Sequence, residues 1–141
     1  LWLRQMIAAL QPGLDFGVTI HRYPAGRTWT AAHPGFLSRV GEVEALRAII
    51  GERRWACSEF GYHTARQAVH KWLPRRWFSW RWTDQEVAEN VRREFEFWEQ
   101  QGAEFSVLYQ LADGPSDHRE DRFGIRRFTG TWKPVADVLL S

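Results

Sequence analysis

The sequence predicts an α/β fold with parallel strands, and three observations support this prediction. Three β-like runs, at residues 15–23, 54–60 and 104–112, alternate with segments whose apolar residues recur at helical spacing. The strand starts lie too far apart along the chain for hairpin connections. A helix between successive strands implies parallel pairing with right-handed crossovers.

Four helices are predicted around these strands. They cover residues 1–11, about 40–50, 83–101 and a last segment that begins at the run TWKP. The third starts at a capping box, in which Thr83 and Glu86 each bond the other's backbone. The apolar stripes expected to be buried are Leu3, Ile7 and Leu10; Val43, Leu46 and Ile50; Val87, Val91, Phe95 and Trp98; and Val135, Val138 and Leu139.

Composition places the chain among ordinary folded proteins. Its 141 residues fit a single domain spanning 1–141, and 44% hydrophobic residues argue against disorder. The net charge of +2 demands neither a nucleic-acid nor a membrane partner, and we expect neither. The single cysteine excludes an intramolecular disulfide. The chain begins at Leu1, which suggests an incomplete sequence and leaves the localisation unknown.

The first two strands carry polar side chains on one face. In the first, Phe16, Val18 and Ile20 alternate with Thr19, His21 and Tyr23. In the second, strict alternation puts Trp55, Cys57 and Glu59 on one face and Ala56, Ser58 and Phe60 on the other.

Polar residues also gather where each predicted strand ends. They are His21 and Tyr23 after the first strand, Glu59, Tyr62 and His63 after the second, and Gln110 and Asp113 after the third. Sites in parallel βα proteins form at these carboxyl ends, so the pattern indicates one shared rim. Taken alone, His21 is better explained as a hydrogen-bonded structural histidine.

Nine tryptophans are the unusual feature of the composition. The cluster Trp77–Trp82 lies in a long predicted loop over residues 61–82, within the run KWLPRRWFSWRW. Its rings could belong to the core or could line a groove and stack on sugars or bases. Basic residues between aromatics also fit single-stranded nucleic acid, although the run is short and the chain nearly neutral.

Three motifs, in this order, resemble the end of a retaining (β/α)8-barrel glycoside hydrolase, from the clan that contains cellulases, mannanases, β-xylosidases and β-glucosidases. SEFGYHT looks like the seventh-strand motif, and HRYP looks like the sixth strand. YQLADGP, followed by FGIRRFTGTWKPVADVL, is similar to the eighth strand and closing helix. The resemblance covers nearly all of the chain and implies a partial TIM barrel consisting of strands 6–8.

The resemblance also implies a chemistry. Glu59 would be the nucleophile that attacks the anomeric carbon and forms a glycosyl-enzyme intermediate. His21 or Tyr23 would keep this carboxylate ionised and oriented. Further substrate contacts are expected from Tyr62, His63, Trp77, Trp80 and Gln110. The implied partner is a carbohydrate, as an oligosaccharide, polysaccharide or glycoside, and no cofactor is implied.

Three departures from the family pattern matter. The mechanism needs two carboxylates about 5–5.5 Å apart, and the family takes its acid/base from an Asn-Glu pair, whereas the only asparagine here is Asn90, followed by Val91. A full barrel takes about 250 residues, whereas this chain has 141 residues and three predicted strands. Where the family has a tryptophan on the eighth strand, this chain has Tyr109 and Gln110 in the corresponding region. We expect no useful hydrolase activity from the isolated chain. Because three parallel strands leave two open edges, we expect the chain to need the missing N-terminal part of the barrel, a second copy or another partner to stay soluble.

Several alternatives remain open at this point. The chain could be a truncated barrel that binds carbohydrate without catalysis, or a binder of single-stranded nucleic acid that uses the Arg/Trp loop. The acidic residues after the third strand, Asp113, Asp117 and Glu120, are best explained as solvated charge. No metal site is expected, because no two of the five histidines, His21, His33, His63, His70 and His118, have a recognised ligand spacing.

Overall fold

The computed structural model describes residues 2–10, 14–23, 39–65, 67–68 and 79–141. In chain order the elements are α1 (Trp2–Ala9), β1 (Val18–Arg22), α2 (Arg39–Ile50), β2 (Trp55–Phe60), β3 (Gln67–Ala68), β4 (Ser79–Trp80), α3 (Asp84–Gln100), β5 (Ser106–Leu108), a 3-10 helix (Arg119–Arg122) and α4 (Val135–Leu140). The three predicted strands and four predicted helices are therefore all present, in the predicted order.

The central sheet has the order β1-β2-β5, and both pairings are parallel. In the described part of the chain, β1 and β5 each pair with β2 alone and form the two edges. The parallel arrangement confirms the prediction made from the spacing of the strands. It also brings the carboxyl ends of all three strands to the same edge of the sheet.

One face of the sheet packs against the helices. Val18 on β1 belongs to the same buried cluster as Val43, Leu46 and Ile50 on α2. The predicted stripe of α3 is buried at Val87, Val91 and Trp98, and the capping box of Thr83 and Glu86 is present. A periodicity of about 3.6 residues accounts for these faces because each helix turns one stripe towards the sheet.

Strict alternation along β2 is wrong. Trp55 packs edge-on against Trp98 at 6.0 Å, and Phe60 packs edge-on against Phe95 at 5.0 Å, so both rings contact α3. The register with β1 shifts because Cys57 and Glu59 oppose consecutive residues of that strand, leaving Ser58 as the extra residue. A bulge of this kind rotates the side chains that follow it.

Two further differences from the prediction lie in β5 and α4. β5 ends at Leu108 because the residues after it bond elsewhere: the amide of Ile125 donates to the carbonyl of Gln110 at 3.0 Å, and the amide of Arg126 to that of Leu111 at 3.1 Å. In α4, Val135 is buried, but Leu139, which was expected to be buried, is 42% exposed.

The predicted loop over residues 61–82 also contains structure that the sequence pattern did not indicate. β3 and β4 form a short antiparallel pair within it. In the part of the chain that the structure describes, no helix combines the length and the apolar character needed to cross a membrane.

Candidate active site

Glu59 lies at the end of β2 on the face of the sheet opposite the helices. Two side chains of the neighbouring strand hold it: the hydroxyl of Tyr23 donates to Oε1, and Nδ1 of His21 lies 2.8 Å from Oε2. The Glu59 side chain is 27% exposed, so it remains open to solvent. The parallel pairing produces this arrangement because His21 opposes Glu59 directly, and Tyr23 follows two residues later.

Aromatic rings pack around Tyr23, one of the two residues that hold Glu59. The ring of Tyr23 contacts Tyr109 at 6.2 Å and Phe123 at 5.3 Å, and Phe123 also contacts the ring of His63 at 5.1 Å. Gly61 makes this packing possible, because a Cβ there would lie 2.5 Å from the carbonyl oxygen of Tyr109 and 3.0 Å from Phe123. The glycine of the SEFGYHT motif is therefore required by close approach of the chain.

The surroundings shift the pKa of two groups near Glu59. Partial burial, followed by the hydrogen bond to the Glu59 carboxylate, raises the pKa of Tyr23 far above that of an ordinary tyrosine. Burial, with repulsion from Arg119, lowers the pKa of His63 to about 4. Tyr23 therefore remains a hydrogen-bond donor at neutral pH, and His63 is a neutral imidazole there.

The other predicted site residues are placed differently. Tyr62 is only 2% exposed, and its hydroxyl donates to the buried Glu94 on α3 at 2.8 Å. The structure therefore places Tyr62 in the helix layer and does not bring it to Glu59. Gln110 follows β5, and its side-chain amide donates to the carbonyl of Glu120 at 2.9 Å. His63 has a buried Nδ1 without a hydrogen-bond partner in the described residues.

Two predicted sugar-stacking residues cannot be placed. Trp77 lies outside the described residues, as do His33 and His70, and the side chain of Trp80 is outside the description although its backbone belongs to β4. Among the residues that are described, no group of three histidine, cysteine, aspartate or glutamate side chains could hold a metal ion.

A buried ion pair behind the third strand end was missed by the sequence analysis. Nζ of Lys133 lies 2.8 Å from Oδ1 of Asp113, and both side chains are 2% exposed. The same oxygen accepts from the amide of Gly124 at 2.9 Å. Asp113 was interpreted as solvated charge, and that interpretation is wrong for this residue. No periodic pattern could have indicated this pair, because its two residues lie 20 positions apart in the chain.

A cleft of about 360 Å³ lies between the loop after β2 and the start of α3. Its lining includes Thr64, Asp84, Arg122 and Arg127, but not Glu59. Asp84 pairs with Arg127, and Arg122 Nε lies 3.3 Å from Asp117 without hydrogen-bond geometry. The charges in the cleft therefore largely satisfy one another. The group formed by Glu59, His21 and Tyr23, rather than this cleft, is the better candidate for chemistry.

Comparisons with known proteins find likeness in structure only. No family model matches the sequence, and no curated protein matches it. Among solved structures, the β-glucuronidase of Ruminococcus gnavus in complex with N1-substituted uronic isofagomine matches with a TM-score of 0.51 and 18% identity over 88% of this chain. A GH2 β-galacturonidase from Eisenbergiella tayi matches with a TM-score of 0.52 and 13% identity over 87%. The β-D-glucuronidase of Dictyoglomus thermophilum matches with a TM-score of 0.53 and 16% identity over 90%.

These matches show a shared fold over one part of much longer proteins. The chain spans 22% of each of the three glycosidase chains. At such low sequence identity, the likeness establishes the fold, while the activity of those enzymes remains a separate question for this chain. The chain is thus similar in structure to a segment of glycoside hydrolases, and its helices and small parallel three-stranded sheet make it an α/β structure.

Proposed function

We propose that this chain is the C-terminal part of a retaining glycoside hydrolase, with Glu59 as the nucleophile. In this proposal β1, β2 and β5 are strands 6–8 of a TIM barrel, and residues 1–141 belong to one barrel domain. The structural likeness to glycosidases supports the reaction class. The motifs around Glu59 and the parallel order of the three strands support its place within the barrel.

The observation that carries the proposal is the pair of contacts that Tyr23 and His21 make with the carboxylate of Glu59. A nucleophilic carboxylate must be ionised, oriented and reachable by the anomeric carbon. The Tyr23 hydroxyl donates to one of its oxygens, Nδ1 of His21 lies 2.8 Å from the other, and 27% of its side chain stays exposed. Because the pKa of Tyr23 is raised, its hydroxyl keeps its proton and continues to orient the carboxylate at neutral and mildly basic pH.

Sugar contacts in this proposal come from the residues around that carboxylate. The neutral imidazole of His63 presents a polar edge beside Phe123 and can bond a hydroxyl group. Gln110, at the neighbouring strand end, and the rings of Trp77 and Trp80 are proposed to complete the contacts. Tyr62 is not included, because its hydroxyl already bonds Glu94 away from this face.

The second carboxylate of the mechanism is proposed to come from outside these 141 residues. Retaining hydrolysis needs a partner acid about 5–5.5 Å from the nucleophile. The three acids considered after β5 are engaged elsewhere: Asp113 with Lys133, Asp117 with Arg122, and Glu120 with Arg119. The free edges of β1 and β5 are proposed to pair with the preceding part of a barrel, or with another copy of the chain.

The test combines an activity assay with a binding map. The 141-residue chain is assayed on a panel of aryl β-glycosides, and we expect no turnover. Isotope-labelled chain is then titrated with the matching sugar lactones, and we expect shifts centred on Glu59, His21 and His63. Turnover that disappears in the variant Glu59→Gln would contradict the missing acid/base. Shifts confined to other surfaces would contradict the site.

One non-catalytic alternative shares the same site. A truncated barrel that binds carbohydrate without hydrolysis would show the same shifts but would never form a covalent sugar adduct. Binding of single-stranded nucleic acid through the Arg/Trp loop over residues 61–82 is the less favoured alternative, and much of that loop lies outside the described residues. It would appear as oligonucleotide binding that weakens steeply with added salt.

A further inference from the structure

Arg22 lies between the two residues that hold Glu59, and its side chain lies on the opposite face of β1. Its Nε donates to Oε2 of Glu42, in the first turn of α2, at 2.5 Å. Its NH1 donates to the backbone carbonyl of Tyr23 at 2.7 Å. The side chains of Arg22 and Glu42 are only 16% and 27% exposed.

The ladder between β1 and β2 ends just before Tyr23. The last opposed pair is Arg22 with Phe60, so Tyr23 has no partner residue on β2. Its carbonyl is held instead by the guanidinium of Arg22. The planar fork of an arginine can bind a carboxylate and a carbonyl at the same time in a fixed geometry. One side chain therefore links the backbone of Tyr23 to α2.

We propose that Glu42 and Arg22 are positioning residues, which hold the backbone of Tyr23 so that its hydroxyl meets Glu59. Neither residue touches the carboxylate. The ion pair is not needed to dock α2, because Val43, Leu46 and Ile50 already bury that helix against the core with exposed fractions of 4%, 7% and 0%. What the pair adds is a constraint on the strand end. A reacting group needs its supporting residues held within about 0.5 Å.

The test measures how fast the hydroxyl proton of Tyr23 exchanges with water in the full 141-residue chain, by NMR of tyrosine labelled at Cζ. The variant Glu42→Gln removes the charge that orients Arg22. We expect exchange at Tyr23 to accelerate about fivefold, the factor that corresponds to losing a hydrogen bond worth about 1 kcal/mol. The Tyr62 hydroxyl, buried on Glu94, should keep its rate and thereby exclude general loosening.

Two further variants complete the test. Arg22→Lys keeps a charge opposite Glu42 but has no fork, so it should also accelerate exchange at Tyr23. Glu89→Gln breaks a comparable ion pair to Arg93 at 2.8 Å on the exposed face of α3 and should leave Tyr23 unchanged. The inference is overturned if Glu42→Gln and Arg22→Lys both leave the Tyr23 rate at the parent value, or if Tyr62 accelerates equally.

The inference rests on the proposed function, because positioning Tyr23 matters for catalysis only if Glu59 is the nucleophile. The two proposals can nevertheless fail separately. The exchange rate reports the contact between Tyr23 and Glu59 whether or not a sugar is ever cleaved. If Glu59 forms no covalent adduct while Glu42→Gln accelerates exchange, the proposed nucleophile is wrong and the positioning role remains. If the adduct forms while exchange is unchanged, only the positioning role is wrong.

Discussion

Removing the charge of Lys133 should destabilise the chain strongly. Lys133 and Asp113 are each 2% exposed and lie 2.8 Å apart, so the variant Lys133→Met leaves a buried carboxylate without its nearest cation. Removing one partner of a buried pair costs about 3–5 kcal/mol. Asp113 retains the amide of Gly124 and has Arg122 at 3.9 Å, which places the expected cost at the lower end, about 3 kcal/mol.

The assay is equilibrium unfolding in guanidinium chloride, followed by tryptophan fluorescence. The matched control is Arg93→Met, which breaks a pair of the same 2.8 Å separation whose side chains are 45% and 36% exposed. That control should cost less than about 1 kcal/mol. Adding Asp113→Asn to Lys133→Met should recover part of the loss, since neither position then carries a buried charge. A cost for Lys133→Met no larger than that of the control would refute the reasoning.

Three smaller predictions follow from single contacts. Gly61→Ala should lower the free energy of unfolding by roughly 1–3 kcal/mol, because the added Cβ has no space. The control Gly17→Ala, whose added Cβ has its nearest neighbour at 3.4 Å, should change it by no more than about 0.5 kcal/mol, and equal costs would contradict the close approach at Gly61. The pKa of His63 is lowered to about 4 from 6.5, so its contribution to stability is complete above pH 6.5 and is lost as the pH falls towards 4. His63→Asn should therefore flatten the dependence of unfolding free energy on pH between 6.5 and 4, and an unchanged dependence would contradict the burial of His63. Thr83→Ala should cost about 1 kcal/mol by removing the cap of α3, measured by thermal unfolding in circular dichroism, and no loss would show that the capping box contributes nothing.

Much of the fold could be predicted because it follows from local periodicity. The stripes of α2 and α3 and the capping box at Thr83 depend on residues close in sequence, and the parallel order of the three strands follows from the helices between them. The meeting of His21, Tyr23 and Glu59 also followed from sequence, since parallel strands bring their carboxyl ends together. These features follow from local patterns and from the general rule for parallel strands, without knowledge of how individual side chains pack between other segments.

The features that sequence reasoning missed depend on such fits. The bulge at Ser58 arises from the pairing of β2 with both of its neighbours, and it reverses the side on which Phe60 packs. The Tyr62 hydroxyl donates to Glu94 on α3, 32 positions along the chain, and this contact holds the ring among the buried residues. The pair of Asp113 and Lys133 closes over 20 positions. No period in the sequence reports contacts of this length.

Covalent trapping tests the central claim most directly. The natural protein that contains this chain is treated with dinitrophenyl 2-deoxy-2-fluoro-β-glycosides of several sugars, whose leaving group departs without an acid, and is then digested for mass spectrometry. The account predicts one sugar attached to Glu59, in the peptide that contains β2, and none in Glu59→Gln. A sugar attached to another residue, or a folded protein that no member of the panel labels, would contradict it.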